Sequence, residues 1–396
     1  MPHRIIVLGA GYAGAYAAGN LARRLHPDDV EITVVNAEPD FVERLRMHQL
    51  AAGQDLRRYE LKEVFTGTGI NLRVAHVTAV DVEQRTVTVT DGGETDRLEY
   101  DTLLYALGST IADHGVPGVD EHAFHVATKP SALRLRRRLN ELGERGTVLV
   151  VGGNLTAIEV ATEIAESRPG LDVTLATSGE LGGWLGPKAR PHLLRAFDRL
   201  GIKVHEHATV DRVESTGAIT ADGTRLAADA TVWAAGFAVH PIAAASGLEV
   251  AETGQILVDR MMRSVSHPSV YAAGDSVHVI GENGRPLPMS CASAGYTGIQ
   301  AVAAIIGDLT GRKIAKTSLS YVGNHISLGR QDAIFQAVDG DVRSKSWALR
   351  GRAAARFKSF ILRTAAYGVG HPTFGMPTRR HRLATASTRS TKAVTA

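Results

Sequence analysis

The chain has 396 residues, 44 basic and 41 acidic side chains, 44% apolar and 21% charged residues, and one cysteine. That length predicts two or three packed domains, and the composition excludes disorder for most of the chain. No uncharged apolar run reaches 18 residues, which excludes a spanning helix, and a single cysteine without CxxC excludes an intrachain disulfide, thiol–disulfide exchange and a zinc ribbon, so no metal is expected. The start, MPHRIIVLGAG, enters a strand without a signal-peptide pattern, and the expected location is cytoplasmic. From Arg343 onward there are 12 Lys or Arg and no acid, whereas the preceding residues carry a net charge of −9.

RIIVLGA (4–10) is a continuous apolar run, as a strand covered on both faces requires. It breaks into Gly9-Ala10-Gly11-Tyr12-Ala13-Gly14 and an alanine-rich helix to about Arg24, followed by a second buried strand over 31–37. Alternation over 71–91 predicts antiparallel strands, and Tyr100–Gly108 (YDTLLYALG) returns to a buried strand with a glycine exit. The plan then repeats: helix 130–142, strand 147–153, glycine turn, helix 155–167, strand 171–177, alternation over 204–226, and ADATVWAAGF (228–237), which echoes YDTLLYALG. SVYAAGDSV (269–277) ends a further strand in Gly-Asp, and 290–306 reads as a buried helix. Beyond Thr310, ISLGRQDAIFQAV (326–338) predicts sheet, then basic helical sequence; the last 16 residues lack apolar periodicity and are expected to be disordered.

The first glycine turn fits GxGxxG between a buried strand and a helix. Gly9 permits the tight turn, Gly11 lets the backbone approach a pyrophosphate, and Gly14 lets the helix pack against the strand. Asn36 stands where a ribose-binding acid is usual, with Glu38 two residues on, and the choice between them is open. The second turn, Gly152-Gly153-Asn154-Leu155-Thr156-Ala157, replaces the middle and last glycines. Asn154 is expected to crowd a pyrophosphate while tolerating left-handed backbone. The strand that follows ends in Thr177-Ser178, offering neither an acid for a 2′-hydroxyl nor an arginine for a 2′-phosphate; Glu180 is the nearby candidate.

The two dinucleotide folds, the paired YALG and WAAG segments and the late YAAGD resemble the two-dinucleotide-binding flavoproteins over residues 4–310. The resemblance implies an α/β fold of two nested Rossmann-like domains with antiparallel insertions: an FAD domain from 1–114 and 241–312, an NAD(P)-binding-like domain over 115–240, and a C-terminal sheet-and-helix region over 313–380. It implies FAD at Gly9, Gly11, Gly14, Asn36, Glu38 and Arg44, at the Val77 backbone, at Ala106 and Gly108, and at Gly274, Asp275, Cys291 and Ala292. Asp275 matches the family's ribityl-binding aspartate. NAD(P)H, the implied co-substrate, would meet Gly152, Gly153, Asn154, Glu159 and Gly236. The closest likeness is to type II NADH dehydrogenases, through ISLGRQDAIF and the basic helical end; Ala292 and Thr297 stand where that family has paired quinone-site glutamines. No acid–base residue is obligatory, and His48 and Cys291 are the catalytic candidates, the latter at a helix N-terminus that favours thiolate.

Phe357, Phe360, Ile361 and Thr364 follow helical spacing, with Arg356, Lys358 and Arg363 off the stripe and Leu362 breaking it. This predicts contact with an anionic membrane surface on the cytoplasmic side, or else a homodimer or packing of the stripe on the protein itself; nucleic acid is not expected. The implied reaction is hydride transfer from NAD(P)H through FAD to a quinone-like or other small acceptor. Two alternatives stay open: a substrate-specific FAD-dependent oxidase, dehydrogenase or monooxygenase with a weakened nucleotide site, and a non-catalytic flavin-binding redox sensor.

Overall fold

A computed structural model describes residues 1–339, 342–374 and 380–384. Ile5, Ile6, Val7 and Leu8 are all buried, which places strand β1 (His3–Leu8) inside a sheet covered on both faces. Helix α1 (Gly14–Arg24) follows and buries its alanine face, and β2 (Val30–Asn36) completes the first βαβ unit. A short helix, α2 (Met47–Ala51), comes before β3 (Ile70–Val74) and β4 (Thr102–Tyr105). Between these last two lies an antiparallel sheet of His76–Asp81, Thr86–Asp91 and Glu94–Glu99.

The second unit repeats the plan with α3 (Lys129–Leu142), β5 (Gly146–Val151), α4 (Leu155–Ser167), β6 (Leu171–Ala176) and β7 (Ala230–Trp233). The chain then returns to the first sheet as β8 (Val270–Ala272) and enters α5 (Cys291–Thr310). An antiparallel sheet, β9 (Gly323–Ser327), β10 (Ala333–Val338) and β11 (Ser344–Arg350), leads into α6 (Gly351–Gly370).

The first parallel sheet has the order β8-β4-β1-β2-β3, with Leu8 paired to Val35 and Tyr105, and Tyr105 to Ala272. The second runs Lys203–His205, β6, β5, β7, Ala123–Phe124, with Val151 paired to Ala176 and Trp233. The two crossings between units, Ser109–Ile111 and Phe237–Val239, pair antiparallel with each other. In-register strand ends expose the carboxyl edge of each sheet, the edge at which open α/β sheets take ligands.

Core packing ties the segments together across sequence. Met47, Leu50 and Ala51 of α2 enter the core of the second sheet, as do Ile326, Leu328 and Ile334 of the C-terminal sheet. Ala366 and Val369 of α6 enter the first core. The tail corrects an expectation: residues 381–384 are held, not disordered. His381 donates its amide to the Arg24 carbonyl at 2.7 Å, Arg382 pairs with Asp29 at 2.7 Å and Asp28 at 3.1 Å, and Ala384 N–H reaches the Leu309 carbonyl at 2.9 Å. The rest of the expected tail, 385–396, lies outside the described residues.

Candidate active site

A cleft of about 710 Å³ opens at the carboxyl edges of both sheets. Its walls include Gly9, Gly11, Asn36, Glu38, Arg44, His48, Val77, Ala106, Gly108, Gly274, Asp275, Cys291 and Ala292, together with Glu159 and Gly236 from the second unit. Gly14, Gly152, Gly153 and Asn154 are not among its walls.

The first turn is glycine for three separate reasons. Gly9 has φ +91°, and a Cβ there would meet the Ala106 carbonyl oxygen at 2.4 Å. At Gly14 a Cβ would lie 1.8 Å from the Gly9 carbonyl oxygen, so this residue serves helix packing. At Gly11 a Cβ would meet nothing within 4 Å, and the residue faces the cleft. A cradle that only a side chain would fill, beside the N-terminus of α1, suits a phosphate, so the residues present fit a dinucleotide. Asn36 is committed elsewhere: its Oδ1 accepts from Ala10 N–H at 2.8 Å and its Nδ2 donates to the Glu38 carbonyl at 2.7 Å. Glu38 is half-buried on the same wall.

Opposite this turn, a second loop is pinned from three sides. Asp275 Oδ2 accepts from Ser109 Oγ at 2.7 Å, and Arg44 donates to the Ser109 carbonyl at 2.5 Å. Ser276 Oγ accepts from Gly108 N–H at 3.1 Å, and Gln255 donates to the Asp275 and Val277 carbonyls at 2.9 and 2.8 Å. Thr297 is fully buried; its hydroxyl accepts the Gly274 N–H at 3.0 Å, so it holds the loop and is not among the cleft walls. Ala292 does face the cleft.

Charge concentrates where α4 meets the C-terminal region. Glu159 Oε1 accepts from Ser327 N–H at 2.9 Å and from Lys358 Nζ, which also donates to the His325 carbonyl at 3.3 Å. Burial alone would raise the Glu159 carboxyl, but the Lys358 ammonium, His48 and the Ser327 amide hold it below its ordinary value. His48 lies 4.0 Å from Glu159, and burial drops its pKa to about 4, with Lys358 and Arg46 adding to the fall, so it is neutral at physiological pH. His325 also falls to about 4, by burial and by Lys358.

Cys291 overturns the thiolate expectation: burial pushes its thiol up to about 11, more than Lys358 and the helix-terminal amides can offset. The second turn overturns another. Asn154 is extended at φ −88°, and its Oδ1 caps α4 by accepting from Ala157 N–H at 3.1 Å. Gly152, at φ +136°, clears the Ala234 carbonyl, and Gly153 clears Thr177 Oγ1 while its own carbonyl accepts from Trp184 Nε1 at 3.2 Å. The second unit lines the cleft with Leu155, Thr156 and Glu159 from α4, with Trp233, Ala234, Gly236 and Phe237 at the end of β7 and after it, with His240, and with the segment 126–130 that leads into α3.

Lys358 is the principal residue that sequence pattern misplaced. Off the apolar stripe by spacing, it is 7% exposed because α6 lies across the cleft with Ile361 and Leu362 on the cleft wall. Leu362 therefore does not break a pattern; the helix turns two adjacent half-buried residues toward the cleft. Tyr321, Asn324 and His325 also line this side.

Comparison with known proteins places this geometry. The family model of the pyridine nucleotide-disulphide oxidoreductases matches residues 3–298. An NADH dehydrogenase-like protein of Mycobacterium tuberculosis is 29% identical over 357 residues, covering 84% of this chain and 87% of the relative. A type II NADH:quinone oxidoreductase of Staphylococcus epidermidis is 25% identical over 400 residues, 93% of this chain and 96% of the relative. The sulfide:quinone oxidoreductase of Aquifex aeolicus superposes with a TM-score of 0.78 at 21% identity, over 94% of this chain and 93% of that one, a likeness of fold. The family implies a flavin and a nicotinamide nucleotide as its redox pair. With two parallel sheets facing one cleft and a family match over most of its length, the chain belongs to the pyridine nucleotide-disulphide oxidoreductases, as an enzyme resembling the type II NADH dehydrogenases.

Proposed function

We propose that the chain holds FAD against its first parallel sheet and carries a hydride's two electrons from NAD(P)H to a quinone-like small acceptor. The observation that carries the reading is the shared cleft: the Gly11 cradle, the Asp275 loop, Glu159 of the second unit and Lys358 of α6 all line it. FAD, when bound, supplies the two-electron carrier between nicotinamide and acceptor. The FAD domain is formed by 1–114 and 241–312, the nucleotide domain by 115–240, and the region 313–380 covers the acceptor side. In this reading Gly9 and Gly11 bring backbone to the pyrophosphate, Glu38 meets the adenosine ribose with Val77 beside the base, and Asp275 meets the ribityl chain. Ala106, Gly108, Gly274 and Arg44 keep the ring site narrow, with Cys291 and Ala292 at the start of α5. Glu159 and Gly236 face the nicotinamide half, while Gly152, Gly153 and Asn154 shape the turn behind it.

Glu159 and Lys358 are the groups placed to hold a proton for the acceptor, with neutral His48 behind them. Trp347 and Phe360 are 54% and 66% exposed, and Arg352, Arg356 and Arg363 of α6 are exposed too, which supports contact with an anionic membrane surface facing the cytoplasm. No helix among the described residues is long and apolar enough to cross a membrane, which leaves a peripheral contact as the form of attachment proposed.

The test is anaerobic titration of the purified, FAD-loaded protein with NADH and then NADPH, following the flavin absorption band. Bleaching by at least one nucleotide, reversed by menadione, is the expected result. Bleaching by a different organic substrate and by neither nucleotide would favour a substrate-specific oxidase instead. A folded protein that takes up no FAD overturns the proposal.

A further inference from the structure

The reaction NAD(P)H + H⁺ + A → NAD(P)⁺ + AH₂ takes one proton from solvent at each turnover, a requirement that rests on the function proposed above. Glu159 lies on the cleft wall with Oε1 occupied by Ser327 and Lys358. One turn further along α4, on the same face, is Glu163. It is not a cleft residue and is 0% exposed. Its Oε1 accepts from Arg330 Nε at 2.9 Å, and its Oε2 is buried without a hydrogen-bond partner.

An ionised carboxylate oxygen buried without a donor costs several-fold more than a protonated one, so this atom is a place for a proton. Burial pushes the Glu163 carboxyl above its ordinary value, Arg330 opposes, and Glu166 and Glu159 add to the rise. These are the charged groups that face it: Arg330 from the β9–β10 turn, and Glu159 and Glu166 from its own helix. His48 of α2 and Lys358 of α6 face Glu159 instead. Arg330 is half exposed, with its amide on Glu166 at 2.5 Å, so the side chain that covers Glu163 is also the one at the surface.

We propose that Glu163 is the relay through which a solvent proton reaches Glu159 and the acceptor. The proton on Glu163 passes one helical turn along α4 to Glu159 by rotation of the carboxyl group or through a single water between them, Glu159 gives it up on the cleft side as the acceptor is reduced, and Glu163 is reprotonated from water at the Arg330 rim. No electrons move in these steps, and each carboxyl returns to its starting charge. Glu163 acts through Glu159 and touches neither nucleotide nor acceptor.

The test uses the FAD-loaded full chain and Glu163→Gln, which keeps shape and removes the exchangeable acid. In stopped flow, bleaching by NADH should stay within about twofold while reoxidation by menadione slows about tenfold or more and loses its pH dependence. Infrared spectra should show a protonated-carboxyl carbonyl band at neutral pH in the wild type that is missing in Glu163→Gln, with or without FAD. Glu163→Asp should recover part of the reoxidation rate. Should Glu163→Gln not fold, Arg330→Gln, at a half-exposed site, should move the titration of the same band upward in pH. An unchanged band, an unchanged pH profile, or equal slowing of both half-reactions would overturn the relay. If no nucleotide bleaches the flavin, the underlying function fails, and the infrared band still reports on Glu163 by itself.

Discussion

Lys358 and Glu159 are both nearly excluded from water, so each relies on the other for its charge. Removing one partner strands the remaining charge, whereas removing both exchanges a buried pair for neutral contacts. Lys358→Met should therefore lower unfolding free energy by about 3 kcal/mol or more, and Glu159→Gln with Lys358→Met by clearly less. A urea-unfolding double-mutant cycle measures the difference. His48 makes a pH prediction of defined sign. Unfolded, it titrates near 6.5; folded, near 4. Above pH 6.5 both states are neutral and the histidine has no effect. Between about 6.5 and 4 the unfolded chain binds a proton that the native state refuses, and stability falls by at most about 3 kcal/mol. In His48→Gln this part of the acid slope should vanish, as read by urea unfolding at pH 7, 5.5 and 4.5.

At the scale of elements, the second glycine turn has changed from a pattern of close approach to one of helix support. Asn154 caps α4 and Ala157 is fully buried beneath it. Restoring glycine at both positions should weaken the helix: a few tenths of a kcal/mol for the cap and about 1 kcal/mol for Ala157→Gly. Thermal unfolding of Asn154→Gly, Ala157→Gly and the pair checks this. An unchanged midpoint would mean that α4 is held by its packing alone. Helix α5 follows the same logic. Ser290 caps it by accepting Ser293 N–H at 3.1 Å, and Thr297, about two turns in, takes the Gly274 amide. Thr297 thus has a local structural use, which is to fix the loop that carries Asp275.

Over the whole molecule, α6 divides its residues among three environments. Ala366 and Val369 join the first core, Lys358, Ile361 and Leu362 line the cleft, and Phe360 is exposed, as is Trp347 of β11. Deleting the helix would expose both core and cleft, so surface attachment is better tested at its outer side. Trp347→Ser with Phe360→Ser should leave the fold intact and abolish co-sedimentation with anionic vesicles. Wild-type binding should weaken as salt shortens the Debye length to about 8 Å near 0.15 M. Light scattering on the same pair distinguishes a homodimer: a drop in mass of the double variant, with no vesicle binding by the wild type, would assign the patch to a second copy of the chain.

Two features were legible in sequence because they obey local rules. Buried strands followed by glycine turns fixed both βαβ units, since Gly9 needs its φ and Gly14 needs its close approach whatever surrounds them. Asp275 was visible for the same reason, at the end of a short apolar strand. The charged centre was not legible. Glu159 and Lys358 are 199 positions apart, and spacing along α6 assigned Lys358 to the basic outer face. Nor could pattern show that Cys291 is desolvated, that Asn36 spends its amide inside the turn, or that 381–384 would dock on α1. Periodicity reports which side of an element is apolar; which other segment covers that side, and how far water is excluded there, is decided by tertiary packing. Proton affinities at the cleft depend on that exclusion and on partners distant in the chain, so the sequence by itself determined the two nucleotide-type folds, and the tertiary structure decided the chemistry where α4 meets α6.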